Sequence, residues 1–351
     1  MKTILITGGT GFIGSHTCLS LLESKFKIVV VDSNVNSSKT CLKCIKKILY
    51  QKKLSNKNIF FIKGDIRDEV FLRNVFIKAL NDGYPIEGVI HFAGLKSVEE
   101  SMHNPLLYWD NNVVGTINLL KVMEIFKCKT IVFSSSATIY GNPKTSPIKE
   151  NFEINPLNPY GITKALIENI LEGIYKTYEN NWKIINLRYF NPIGAHESGL
   201  IGEEPLNKPN NLFPYICLVA NGTYKKLNIY GNNWPTLDGT GVRDYIHVMD
   251  LADAHKSAID YLFNHDSMML SLNVGTGVGT SVLKLVEIFQ EVNKCEIPYK
   301  FCNRRLGDVP TLVADNKKAI SILNWYPKRN IRDMCKDGWN WRYLNPKGYK
   351  K

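Results

Sequence analysis

The chain lacks any apolar run approaching the ~18 residues that a membrane-spanning helix needs. Its one short apolar stretch near the start, Met1 to Gly9, reads as a strand and not as the core of a secretory signal. A soluble, cytoplasmic protein with no membrane partner is therefore expected. Cysteine is present eight times, but only Cys41-Leu-Lys-Cys44 has metal or redox spacing, and no second pair matches it. The seven histidines are dispersed, so no metal centre is expected and the cysteines read as free thiols. The sequons at Asn36 and Asn221 carry little weight without a secretory signal. Internal repeats and low-complexity segments are absent. No nucleic-acid-binding module accompanies the net charge of +12, whose lysines and arginines are scattered apart from short clusters such as Lys39 to Lys53. That excess predicts no nucleic-acid partner, while an anionic small substrate fits it.

What is present is the order of a dinucleotide-binding unit. Lys2 to Thr7 is an apolar strand, Gly8-Gly-Thr-Gly11-Phe12-Ile13-Gly14 follows, and a helix continues to Ser24. Lys27 to Val31 is a second strand, ending at Asp32. Glycines here let the backbone approach a pyrophosphate, and a helix N-terminus supplies free N–H groups and a positive dipole. Asp32 falls about 20 residues on, where a carboxylate accepts hydrogen bonds from an adenosine ribose and repels a 2′-phosphate. NAD is favoured over NADP. The glycine spacing is Gly8-x-x-Gly11-x-x-Gly14, not the GxGxxG of ordinary dehydrogenases.

Further strands are expected at Ile59 to Lys63, Gly88 to Phe92, Thr130 to Ser134 and Lys183 to Phe190, with helices between them such as Pro105 to Phe126. Their carboxyl ends would gather Gly64, Asp65, Phe92, Ala93, Gly94 and the Ser134-Ser135-Ser136 run in one crevice. The fold class is α/β. A doubly wound, Rossmann-like parallel-sheet domain spans 1–190, and a smaller mixed α/β domain for substrate spans 191–351. Segments near 245–277 are expected to return to the first domain.

Tyr160 and Lys164 stand four apart in Tyr160-Gly-Ile-Thr-Lys164, on one face of a predicted helix. Asn158 is a good N-cap and Pro159 suits the first helical position, so the helix begins there and places Tyr160 in its first turn. Apolar residues at Ala165 to Ile167, Ile170, Leu171, Ile174 and Tyr178 supply a buried face. A phenol titrates near ~10, and a fixed ammonium favours its anion, so the pair suits proton removal from an alcohol. The spacing alone also fits a plain surface helix pair.

With these motifs in order, including Ser134-Ser-Ser-Ala-Thr-Ile-Tyr-Gly141, the chain resembles the extended short-chain dehydrogenase/reductases. More closely it resembles the UDP-glucose 4-epimerase family, over nearly its whole length. His91-Phe-Ala-Gly-Leu-Lys96, Leu187-Arg-Tyr-Phe-Asn-Pro192, Pro209-Asn-Asn-Leu212, Gly239 to Asp253 and Arg304-Arg-Leu-Gly-Asp308 carry the closer likeness. The resemblance implies reversible C4 epimerisation of a UDP-hexose, with NAD retained through the cycle. It implies Tyr160 as base, Lys164 as the residue that holds the nicotinamide ribose and lowers the phenol, and Ser136 as the partner of the reacting hydroxyl. Cofactor contacts implied by it are Phe12, Ile13, Asp32, Asn36, Asp65, Ile66, Lys96, Asn111 and Phe190. Contacts to the UDP-sugar are Asn191, Asn211, Leu212, Arg243, Arg305 and Asp308. A guanidinium fork suits a diphosphate. A homodimer is also implied.

Dehydratases of the same fold carry an Asp-Glu pair just after the serine, where this chain has Ala137 and Thr138. Their absence argues against dehydration. Leu312 falls where the family varies in size: a bulky Tyr goes with refusal of N-acetylated sugars and a small residue with acceptance. Leucine is intermediate, so use of UDP-GlcNAc is left open.

Overall fold

The computed structural model describes residues 1–177, 181–204, 209, 211–305 and 308–349. Tyr178, Asn210, Leu306 and Gly307, which belong to motifs named above, lie outside the described residues. The first half alternates strand and helix: β1 (Thr3–Thr7), α1 (Phe12–Glu23), β2 (Lys27–Asp32), α2 (Thr40–Gln51), β3 (Ile59–Lys63), α3 (Glu69–Asn81) and β4 (Ile86–His91). A helical run follows as α4 (Val98–His103), α5 (Pro105–Tyr108), a π-helical stretch over Trp109–Val114 and α6 (Gly115–Ile125). Then come β5 (Thr130–Ser136), a 3-10 turn (Ala137–Tyr140), α7 (Pro159–Thr177) and β6 (Lys183–Tyr189).

β1, β2, β5 and β6 are buried along most of their length on both faces, as a sheet covered by helices on each side requires. They form one parallel sheet in the order β10-β6-β5-β4-β1-β2-β3, where β10 is Met268–Val274. Strand order reverses between β1 and β4, and the carboxyl ends there are where a doubly wound sheet binds its ligand. One apolar cluster joins the sheet to α1, α2 and α9 (Val248–Asn264). A second, on the other face, joins it to α3, α6 and α7.

The rest of the chain builds a smaller layer from β7 (Asn191–Ile193), α8 (Leu212–Ala220), β8 (Leu227–Tyr230), β9 (Val242–His247), β11 (Gly279–Ser281), α10 (Val282–Asn293), β12 (Tyr299–Cys302), β13 (Thr311–Leu312) and α12 (Ile331–Leu344), while α11 (Lys317–Leu323) packs back on α9 and β10 of the large sheet. β9 pairs with β7, β11 and β13, and β8 pairs with β12. Phe213, Phe289, Tyr245 and Met334 share its core.

Two expectations need correction. The helix expected over Pro105 to Phe126 is interrupted by the π stretch, because Asn111 donates to the Leu107 carbonyl and Thr116 to the Asn112 carbonyl, taking acceptors from the ladder. β5 runs two residues beyond Ser134, because the serines there are satisfied by side-chain partners and so tolerate burial. Among the described residues, no helix is long and apolar enough to cross a membrane.

Candidate active site

The glycine turn is shaped for close approach. Gly8 has φ +71°, and a Cβ there would lie 2.7 Å from the Ala93 nitrogen. A Cβ on Gly14 would lie 2.3 Å from the Gly8 carbonyl oxygen. Gly11 caps α1 without a side-chain hydrogen bond, and the first turn, with Phe12 and Ile13, carries no acidic residue. The N–H groups of that turn therefore keep the capacity to hold an anion. Asp32, at the end of β2, accepts from the Thr10 nitrogen (3.0 Å), the Asn34 nitrogen (2.8 Å) and Ser37 Oγ (2.9 Å). A carboxylate has about four acceptor sites, so one remains for a ribose hydroxyl. On these observations the residues fit a dinucleotide.

Other expected cofactor residues are distributed as follows. Ile66 is buried, packs against Gly115 and follows Asp65, whose carboxylate is engaged by Arg67 and held below its usual range by it. Phe92 packs on His255, and Gly94 faces Asn112. Phe190 is buried beside Ala137 and Leu312. Asn36 is exposed, and Asn34, Ser37 and Thr10 form the polar network around Asp32 instead. Lys96 reaches across to Glu203 at 3.1 Å. Asn111 bonds its own helix, while the neighbouring Asn112 ties Leu95 to Thr163 on α7.

α7 begins as its residues dictate. Pro159 is first, and Asn158 Oδ1 accepts from the Gly161 nitrogen at 2.8 Å. Tyr160 thus stands over the end of β5 and has Ser136 as its hydrogen-bonding neighbour. Thr138 donates its backbone N–H (3.2 Å) and its hydroxyl (2.9 Å) to Ser136 Oγ. Lys164, 5% exposed, donates to the Ser134 carbonyl at 2.6 Å and lies 4.8 Å from the Phe133 ring centre and 5.9 Å from that of Tyr160.

Burial dominates the electrostatics of both groups. Burial pushes Tyr160 up, and Ser136 opposes it by donating to the oxygen. Burial pushes Lys164 down to about 7, and the Glu168 carboxylate opposes that.

Behind the pair are residues the local motifs did not single out. Glu168 Oε1 accepts from Ser135 Oγ at 2.5 Å, and Arg188 Nη2 donates to Glu168 Oε2 at 2.6 Å, both side chains being buried. Arg188 also donates to Tyr140, which donates to Asn273. On the opposite face Tyr189 bonds His255 Nε2, and His255 Nδ1 donates to the Leu251 carbonyl. That second bond leaves Nε2 as the acceptor of the tyrosine proton in the neutral ring. Their signal in the sequence is weak, since Glu168 and Arg188 read equally well as exposed helix and strand positions.

The expected substrate residues line the smaller layer. Arg243 on β9 lies 3.7 Å from Asp308, and its register partner on β13 is Leu312. Arg305 stacks on Tyr230 at 3.8 Å, and the neighbouring Arg304 stacks on Trp234. Asn191 sits in β7 beside Tyr245, Asn211 caps α8 and Leu212 opens it. Leu312 is 9% exposed, packed with Phe190 and Ala137. Cys41 is buried and donates to the Thr10 carbonyl.

Comparison with known proteins agrees with this arrangement. Residues 5–338 match the family model described as GDP-mannose 4,6 dehydratase. The chain is 49% identical over 347 residues to UDP-glucose 4-epimerase of Bacillus subtilis (strain 168), covering 99% of this chain and 98% of that one. It is 47% identical to the bifunctional UDP-glucose 4-epimerase and UDP-xylose 4-epimerase 3 of Arabidopsis thaliana, covering 100% and 98%. Among solved structures, a UDP-glucose-4-epimerase from Stenotrophomonas maltophila with bound NAD and formylated UDP-arabinopyranose superposes with a TM-score of 0.93 at 40% identity, covering 99% of each chain.

Proposed function

Because the chain belongs to the UDP-glucose 4-epimerase family, within the extended short-chain dehydrogenase/reductases, we propose that it interconverts UDP-galactose and UDP-glucose by inverting the sugar at C4. The observation that carries this reading is the convergence of Ser136, Tyr160 and Lys164 at the carboxyl ends of β5 and α7's first turn, in the sheet that also carries the glycine turn of β1. Bound NAD supplies a reversible hydride acceptor for C4, which takes the sugar through a 4-keto form.

The chain's own residues handle the proton. Ser136 Oγ accepts twice from Thr138, so its own hydrogen is left to donate to the Tyr160 oxygen. Tyr160 removes the proton of the 4-hydroxyl and returns it after the sugar presents its other face. Lys164 in its cationic form favours the phenolate. Gly8, Gly11 and Gly14 give the pyrophosphate access to the N-terminus of α1, and Asp32 receives the adenosine ribose, which disfavours a 2′-phosphate. Arg243 and Arg305 face the diphosphate, with Asp308 and Tyr230 as their supports. In this reading residues 1–190 bind NAD and residues 191–351 bind the UDP-sugar, apart from α9 and β10, which serve the large sheet.

Dehydration is disfavoured despite the description of the matching family model. Ala137 is buried and apolar, and Thr138 is spent on Ser136, so no acid–base pair stands there. A broader range that includes N-acetylated sugars is a second reading, favoured by the absence of a bulky aromatic at Leu312.

A homodimer is the assembly that belongs to this reading. Val98, Met102, Leu106, Leu107 and Ile162 are exposed on α4, α5 and α7, which pack together, and Leu106 is 81% exposed. These exposed apolar residues on neighbouring helices support it. The protein acts in the cytoplasm in this reading.

The direct test is to incubate purified protein with UDP-galactose and no added NAD. UDP-glucose should form. No conversion by protein shown to contain NAD overturns the proposal.

A further inference from the structure

The Ser135–Glu168–Arg188 cluster lies beneath the reacting groups and touches none of them directly. Its geometry is nonetheless specific. Glu168 follows Lys164 by four residues, so both lie on the face of α7 that meets the sheet, and both are buried. Ser135 and Arg188 are register partners on β5 and β6. One carboxylate therefore bonds both strands at once: Oε1 accepts from Ser135 Oγ (2.5 Å) and Arg188 Nε (3.0 Å), and Oε2 from Arg188 Nη2 (2.6 Å). The same stretch of β5 provides the Ser134 carbonyl that receives Lys164 Nζ at 2.6 Å. We propose that Glu168 is a positioning residue for the reaction: clamped by Ser135 and Arg188, it keeps Lys164 seated on Ser134 and in its cationic form. This rests on the epimerase reading above and extends it to a residue outside the reacting set.

The surroundings of Lys164 make such a residue necessary. Phe133 from β5 presents its ring face, which stabilises a cation only weakly against burial. His91 from β4 is itself held neutral by burial and adds no anion. Tyr160, one turn back on α7, and Tyr189, from β6, are phenols that burial raises, and neither is a standing carboxylate. Arg188 from β6 is cationic and is matched to Glu168. Glu168 is the carboxylate that opposes the loss of charge from Lys164, whose ordinary value burial depresses to about 7. Loss of that proton removes the cation that favours the Tyr160 phenolate.

The test is the pH dependence of turnover for Glu168→Gln and Glu168→Asp beside the wild type. Glutamine keeps the shape and one acceptor oxygen, which Ser135 Oγ and Arg188 Nε can share, while it removes the charge and the acceptor for Arg188 Nη2. The alkaline limb of kcat should then move down by about one pH unit, with KM for UDP-galactose and the bound NAD within about twofold of the wild type. Aspartate keeps the charge but draws it back by one methylene, so the limb should move the same way by less. A uniform loss of rate at every pH, or an unshifted limb, overturns the proposal. Should Glu168→Gln fail to fold, a Glu168→Asp profile superimposable on the wild type overturns it alone. A wild-type protein that does not turn over UDP-galactose would sink the epimerase reading instead, before any variant is compared.

Discussion

Thr138 gives both of its donors to one atom: its backbone N–H and its hydroxyl reach Ser136 Oγ at 3.2 and 2.9 Å. A hydroxyl oxygen has two lone pairs and one hydrogen. With both lone pairs engaged, the hydrogen of Ser136 is directed at the Tyr160 oxygen, the neighbour it lowers. Thr138→Val removes one donor at nearly constant volume. The expected result is a kcat reduced about fivefold with KM for UDP-galactose unchanged, the size of one neutral hydrogen bond. Steady-state kinetics at a fixed pH measure it, and an unchanged kcat would show that Ser136 orients without help.

Tyr160→Phe removes the phenol oxygen and little else. The ring keeps its place in the first turn of α7, and the glycine turn and Asp32 are untouched. Bound NAD should be retained while turnover falls about 10³-fold, the usual contribution of a positioned proton acceptor. Cofactor content by absorbance and a single-turnover assay separate the two. Near wild-type turnover would remove Tyr160 from its role.

Gly14→Ala places a methyl group 2.3 Å from the Gly8 carbonyl oxygen and 2.8 Å from Gly9 Cα, both backbone atoms that have no flexible side chain to yield. The start of α1 must move off β1. Overpacking of this kind costs about 2 kcal/mol, and the shift also opens the anion-binding turn. Protein that purifies with less bound NAD and a lower melting temperature is expected. Full NAD content would mean that the turn reshapes without harm.

How legible these features are depends on how local their causes are. The glycine turn, Asp32 and the start of α7 at Asn158-Pro159 each follow from a few adjacent residues, and the structure builds them accordingly. β3 was readable to its ends for the same reason. The Glu168–Arg188 pair spans 20 residues and the Tyr189–His255 pair spans 66, so no window of sequence contains either bond. Asn112 ties the helical run to the loop at Leu95, 17 residues away, from within a π stretch that no local pattern marks. The burial of Tyr160 and Lys164 is illegible for a related reason. Sequence spacing puts the two on one helix face, whereas the desolvation that acts on each comes from elements packed around both.

Histidines that do no chemistry contribute to acid lability. His16, His91 and His255 are buried, and burial lowers each from its ordinary value to about 3. His91 is held between Thr7 and Thr116, and His255 between Tyr189 and Leu251, so both are settled as neutral rings. Between about pH 6.5 and 3 the unfolded chain binds protons at these positions and the folded chain does not. Stability therefore rises with pH through that window and is lost as pH falls through it. The melting temperature should drop steadily from neutrality toward pH 4, and His91→Gln, which cannot take up a proton, should flatten the slope even if it lowers the melting temperature at pH 7. Melting curves of the two proteins across the window check this, and identical slopes would mean that His91 does not contribute to the acid transition.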